Sequence, residues 1–174
     1  MRAVVLSGPN QFAPAEIEKP QIGPDEILLE MKAAAICGTD RRILTGKKTK
    51  GVRYPSVIGH EFCGIIAEVG ADVKGYEVGE KAAVANVIPC HHCSSCLRGR
   101  TNACLDRKAI GYEFDGGFEE YIRIPAICIE NGNVVKLPEH VSYQAGALIE
   151  PLSCCIRGLK NAGTGCNDDV LIVG

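Results

Sequence analysis

Four cysteines fall within fifteen positions, in the spacing Cys90-x2-Cys93-x2-Cys96-x7-Cys104. That spacing limits what the chain can be more than any other stretch does. Four thiolates fill the coordination of a tetrahedral zinc ion at about 2.3 Å each and leave no position open, so such a site is structural. An iron–sulfur cluster fits less well: the bacterial run places its fourth cysteine after three residues and follows it with proline. Here the gap is seven, and Leu105 follows Cys104. Disulfides fit poorly at x2 spacing. The loop therefore reads as a closed zinc site, with His91 and His92 as exposed bystanders.

The other six cysteines, Cys37, Cys63, Cys128, Cys154, Cys155 and Cys166, are scattered. A secreted disulfide scaffold spreads its pairs and follows a signal sequence. Met1 to Leu6 runs into Ser7-Gly8-Pro9 too soon to be a signal core, and no apolar run is long enough to cross a bilayer. A cytoplasmic, non-membrane protein is expected. Of the 174 residues 46% are apolar and 23% charged, and 19 basic against 21 acidic residues give a net charge of −2. That balance offers nothing to a nucleic acid, and Lys47-Lys48-Thr49-Lys50 reads as solvated loop. Cys63, Cys128, Cys154, Cys155 and Cys166 are expected to pack as small apolar groups.

Along the chain, short apolar runs alternate with Gly and Pro turns. Strands are expected at Ala3–Leu6, Glu26–Ile36, Phe62–Val69, Val78–Val87, Phe118–Ile124 and Val134–Leu137. Asp115-Gly116-Gly117 reads as a surface turn rather than as part of an acid/base pair with Glu113. Many short strands of this kind indicate a barrel or sandwich. The character then turns helical. Ser142 is a candidate N-cap for Tyr143–Ile149, and Pro151 a candidate start for a helix running through Asn161 to Gly163. Asp169 to Gly174 is an apolar run ending on glycine, read as a strand of either a nucleotide-binding sheet or a barrel.

Three further residues form a possible second metal site. A thiolate, an imidazole and a carboxylate hold a zinc with room for a further ligand. Cys37 ends an apolar strand and opens Gly38-Thr39-Asp40, while Gly59-His60-Glu61 occupies a second chain reversal. A lone Cys or His is more often simply packed, so position is what singles these out.

Taken in order, Cys37-Gly38-Thr39-Asp40, Gly59-His60-Glu61-Phe62, Gly75-Tyr76-Glu77-Val78-Gly79-Glu80-Lys81, the cysteine loop, Asp115-Gly116-Gly117-Phe118 and Glu150-Pro151-Leu152 are specific. They resemble the zinc-containing medium-chain dehydrogenases, above all the polyol and threonine dehydrogenase branch, nearly end to end. The resemblance implies a mainly β fold: a GroES-like, partly open β-barrel with a few short helices, over residues 1–150. Residues 151–174 would then be a linking helix and the first strand of a Rossmann domain, whose glycine fingerprint lies beyond Gly174. It also implies two zinc ions per chain. The catalytic one would be bound by Cys37, His60 and a carboxylate, with Glu61 or Glu150 completing the site directly or through a water. In the alcohol dehydrogenase branch a cysteine stands at the position of Glu150.

The implied activity is oxidation of a secondary alcohol, polyol or amino alcohol by hydride transfer to NAD or NADP, with this half-chain inactive alone. Thr39 resembles the family hydroxyl that takes the alcohol proton, and its simpler role is an N-cap for a helix beginning at Asp40. Arg42 departs from the pattern, since relatives often carry a histidine there to pass the proton onward. An arginine stays charged and would serve a substrate anion or be held by Asp40. Oligomers are common among such relatives. The competing readings are a non-catalytic zinc-stabilised module and a relative with reductase or lyase chemistry.

Overall fold

The computed structural model describes residues 1–173. Its centre is a five-stranded antiparallel sheet ordered β10-β6-β5-β3-β9. The strands are β3 (Ile27–Ala35), β5 (Glu61–Val69), β6 (Lys81–Val84), β9 (Tyr121–Ile124) and β10 (Val134–Lys136). Ile27, Leu28 and Leu29 are all fully buried. An unbroken apolar run fits them because β3 lies between β5 and β9 and is covered on both faces here. Ile66, Ile122, Ile124, Ala82, Val84 and Val134 close around the same point, with Phe62 and Cys128.

A second sheet, ordered β2-β1-β4, is made by β1 (Arg2–Gly8), β2 (Gln11–Glu16) and β4 (Ser56–Val57). It is stitched to the chain entering β9: the Val4 amide donates to Phe118 O at 2.8 Å, the Glu120 amide to Arg2 O at 3.1 Å, and Ala3 bridges Glu119. These links curl the sheets into the expected partly open barrel. A short pair, β7 (Val87–Ile88) with β8 (Lys108–Ala109), brackets the cysteine loop.

Among the described residues four α-helices decorate the barrel: α1 (Gly38–Leu44), α2 (Ala126–Glu130), α3 (Tyr143–Ala147) and α4 (Ile149–Ala162). Ser142 caps α3, its hydroxyl accepting from the Ala145 amide at 3.2 Å. Helix α4 ends at Gly163 with φ +72°, the left-handed stop that glycine takes at least cost. It begins at Ile149, before Pro151, which lies within its first turn, where a missing amide leaves no helical bond unmade. None of the α4 residues is buried. No described helix is long and apolar enough to cross a membrane.

Several expectations need correction. Strand β2 is exposed along nearly its whole length, so it lacks the alternating apolar signal. The Val78–Val87 run is broken into β6 and the start of β7. Residues 169–173 form no strand and Val170 to Val173 are exposed, because a buried strand needs neighbours and none lies alongside among the described residues; Gly174 lies outside them. Cys63 and Cys128 are buried as expected, but Cys154, Cys155 and Cys166 are exposed.

Candidate metal centres

Strand β3 runs out at Ala35, and Cys37 then caps α1. Its Sγ accepts the Thr39 amide at 3.4 Å, and its own amide donates to Asp40 Oδ2 at 2.8 Å. This is a capping box with sulfur in the usual hydroxyl place. Thr39 is thus the second residue of the helix and not its cap.

His60 and Glu61 reach the same place from the opposite side. Gly59 turns the chain at φ +103°, and a Cβ there would stand 2.8 Å from the Phe118 ring. Gly116 lies against the Gly59 carbonyl so closely that its own Cβ would be 2.2 Å from that oxygen. The Gly117 amide donates to the same carbonyl at 3.0 Å. Asp115-Gly116-Gly117 is therefore no simple surface turn. Its two glycines are buried and brace the backbone that presents His60.

The ligand atoms of Cys37, His60 and Glu61 lie within 4.8 Å of one another, and His60 and Glu61 are buried. Behind them stands Asp40, fully buried. Its Oδ1 faces His60 Nδ1 at 3.3 Å, at the loose end of hydrogen-bond length, and neither atom has another partner. A carboxylate on one ring nitrogen leaves the other free for a metal. Burial alone would lower the His60 pKa; the hydrogen bond and charge of Asp40, then Glu150 and Glu61, raise it overall. Asp40 thus holds two of the three candidate ligands at once, whereas the sequence had suggested Arg42 as its partner. Arg42 is exposed and makes no ion pair among the described residues.

Glu150, in the first turn of α4, lies outside the 4.8 Å group but close enough to feel it. Burial raises its pKa, His60 opposes that, and Glu61 adds to it. Its Oε1 accepts from Cys154 Sγ at 3.7 Å. Tyr112, unremarked in the sequence, packs its ring 5.6 Å from that of His60. Its hydroxyl is pushed up to about 12 by burial first, then by Asp40 and Cys37. Of the acids weighed and set aside, Glu113 is half-buried and accepts the Ala109 amide at 2.8 Å. Asp115 accepts from Val57 and Arg53. The two serve the turn.

In the cysteine loop the ligand sulfurs of Cys90, Cys93, Cys96 and Cys104 also lie within 4.8 Å of one another. Cys104 Sγ stands 3.5 Å from that of Cys90 and 3.9 Å from that of Cys93. Sulfurs bonded to each other stand about 2 Å apart, whereas sulfurs sharing a tetrahedral zinc stand roughly 3.8 Å apart. The second separation fits. Amides of Leu105 and Cys96 hold Cys93 down to about 6, while burial and the neighbouring thiols push Cys96 up to about 12. Four crowded sulfurs resist ionising together unless a dication joins them. His91 and His92 are exposed and stand outside the group.

Residues 23–139 match the model of the alcohol dehydrogenase GroES-like domain. The chain belongs to this family. Among its relatives, the starvation-sensing protein RspB of Escherichia coli (strain K12) is 38% identical over all of this chain and half of its own length. The L-threonine 3-dehydrogenase of Vibrio parahaemolyticus is 33% identical over 91% of this chain and 45% of its own. The solved structure of the short chain alcohol dehydrogenase rspB from E. coli CFT073, complexed with NADH, superposes with TM-score 0.84. It is 37% identical over 97% of this chain and 47% of that one. The chain spans about half the length of the relatives it matches.

Proposed function

We propose that this GroES-like chain is the zinc-bearing, substrate-side portion of an NAD(P)-linked oxidoreductase. Its reaction is oxidation of a secondary alcohol, polyol or amino alcohol. The observation that carries this reading is the meeting of Cys37, His60 and Glu61 within 4.8 Å, with buried Asp40 behind two of them. Sequence likeness to a threonine dehydrogenase and structural likeness to an alcohol dehydrogenase holding NADH support it. Residues 1–150 would form the domain with both metal sites, and 151–174 the link to a cofactor domain. Leu152, Ile156 and Leu159 support that link, being exposed at a spacing that gives α4 one apolar stripe. The ten free thiols suit a reducing cytoplasm.

Cys37 Sγ, a His60 ring nitrogen and a Glu61 oxygen would hold the catalytic zinc, and the four loop thiolates the structural one. When bound, the catalytic ion acts as a Lewis acid that lowers the pKa of an alcohol oxygen and so makes the adjacent hydrogen a better hydride for a nicotinamide. The chain's own residues do the rest. Asp40 keeps the His60 ring oriented and the Cys37 backbone in place. The Thr39 amide steadies the sulfur, and the Thr39 hydroxyl takes the alcohol proton. Glu150, whose raised pKa reflects burial and Glu61, stands as the carboxylate that approaches or withdraws as substrate enters. With Arg42 at the helix surface, the proton leaves through water.

Metal analysis of the protein tests this reading. Two zinc ions per chain are expected, falling to one in Cys37→Ala with the loop site still filled. A single zinc, lost only on changing the loop cysteines, would instead make the chain a zinc-stabilised module.

A further inference from the structure

A cavity of about 330 Å³ opens between the loop that follows α1 and the end of the cysteine loop. Lys48 and Lys50 line one wall, Arg107 and Lys108 the other, and Tyr112 lies between them and His60. The carboxylates on the cavity are Asp106 and Glu113, so four cations face two acids. Glu113 is tied to the Ala109 amide. Among the described residues none of the four cations forms a salt bridge.

Lys48 and Lys50 share one wall, where the Lys48 ammonium donates to the Lys50 carbonyl and keeps its other N–H donors for a ligand. The Lys48 amide is fastened to Arg42 O of α1 at 3.0 Å. Its half-buried side chain places Nζ 4.8 Å from the centroid of the Tyr112 ring. That ring is itself 5.6 Å from the ring of His60, so one aromatic ring separates the ammonium from the metal triad. Burial, then Arg107, Lys50 and Arg42, hold Lys48 below the ordinary ammonium value, with Glu113 opposing. Such crowding of like charge is relieved when an anion enters.

We propose that this cavity is the anion-recognising end of the substrate site. The alcohol presented to Cys37, His60 and Glu61 then carries a phosphate or carboxylate that Lys48 holds, with Lys50 and Arg107 at the rim. The inference rests on the oxidoreductase reading for its alcohol, and on Lys48 for its anion. The two fail separately.

The test titrates the zinc-loaded full-length protein with inorganic phosphate and, separately, with malonate, by calorimetry at low ionic strength. Saturable binding of either is expected, weakened at least tenfold in Lys48→Met. Lys47→Met, an exposed neighbour, serves as the control for nonspecific charge. Absence of binding by both anions, or equal binding by Lys48→Met and the native protein, overturns the proposal. Thermal melting shows that the variants are folded. Sorbitol, sorbitol 6-phosphate and gluconate are then compared as substrates with NAD and with NADP. An anionic member should exceed sorbitol in kcat/KM by tenfold or more, with the ratio collapsing in Lys48→Met; phosphate or carboxylate is named by which member wins. Anion binding that depends on Lys48 without turnover of any alcohol would sink the oxidoreductase reading and leave the anion site standing.

Discussion

Replacing Asp40 by asparagine should cost the catalytic zinc between tenfold and a hundredfold in affinity. Asp40 receives two donors: the Cys37 amide at 2.8 Å on Oδ2 and His60 Nδ1 at 3.3 Å on Oδ1. An amide side chain has only one acceptor oxygen. If that oxygen turns to Cys37, its NH2 group meets His60 Nδ1, which must then accept; the ring proton moves to Nε2 and blocks metal binding. If it turns to His60, two N–H groups meet at Cys37. Either way one buried donor is left unpaired or one tautomer is wrong, at about 1–3 kcal/mol. That is the same range as the loss measured when the outer partner of a ligating histidine is removed. The assay is chelator competition on protein carrying zinc in the cysteine loop and cobalt at the Cys37 site, read by the part of the sulfur charge-transfer band that Cys37→Ala abolishes. A D40N protein that binds cobalt within twofold of the native affinity would refute the claim that Asp40 orders both ligands.

Cys104→Ala should lower the zinc count by one and make the loop from 90 to 104 sensitive to protease, read by limited digestion. Gly116→Ala should cost about 2–3 kcal/mol in urea unfolding, because its Cβ would stand 2.2 Å from the Gly59 oxygen, which belongs to backbone and cannot swing aside. It should also weaken zinc binding at His60. Glu119 is held up to about 8 by burial first and by Asp115 next, against an ordinary 4.5. The folded protein then keeps a proton that the unfolded chain gives up, so this group's contribution is intact below about 4.5 and declines as pH rises towards 8. Glu119→Gln should therefore be more stable than the native protein at pH 9 and no more stable at pH 5, by denaturant titration at both values.

The cysteine loop, the two reversals that carry Cys37 and His60, and most core strands were legible because each depends on local pattern: ligand spacing, turn residues, apolar runs. What was not legible depends on meetings across the chain. Asp40 bears no mark of its dual role beyond the box-like spacing Cys37-x2-Asp40, and Tyr112 meets His60 only after the barrel closes. Gly116 looked like a turn residue because glycine signals a turn and a close approach with the same letter. Strand β2 was missed since almost all of it faces solvent, and Cys154 and Cys155 were placed in a core that α4 does not enter.

Cys37 caps a helix and, in the function proposed above, is also a zinc ligand, and that duality would separate the two metals in how they leave. With sulfur and amide already engaged by Thr39 and Asp40, the start of α1 stays wound when its ion is stripped, and an empty but shaped socket remains for a replacement. The stretch from Cys90 to Cys104 holds only two single-turn 3-10 segments and has little else to keep its form. Dialysis against a chelator should accordingly be reversible at one centre and a local collapse at the other.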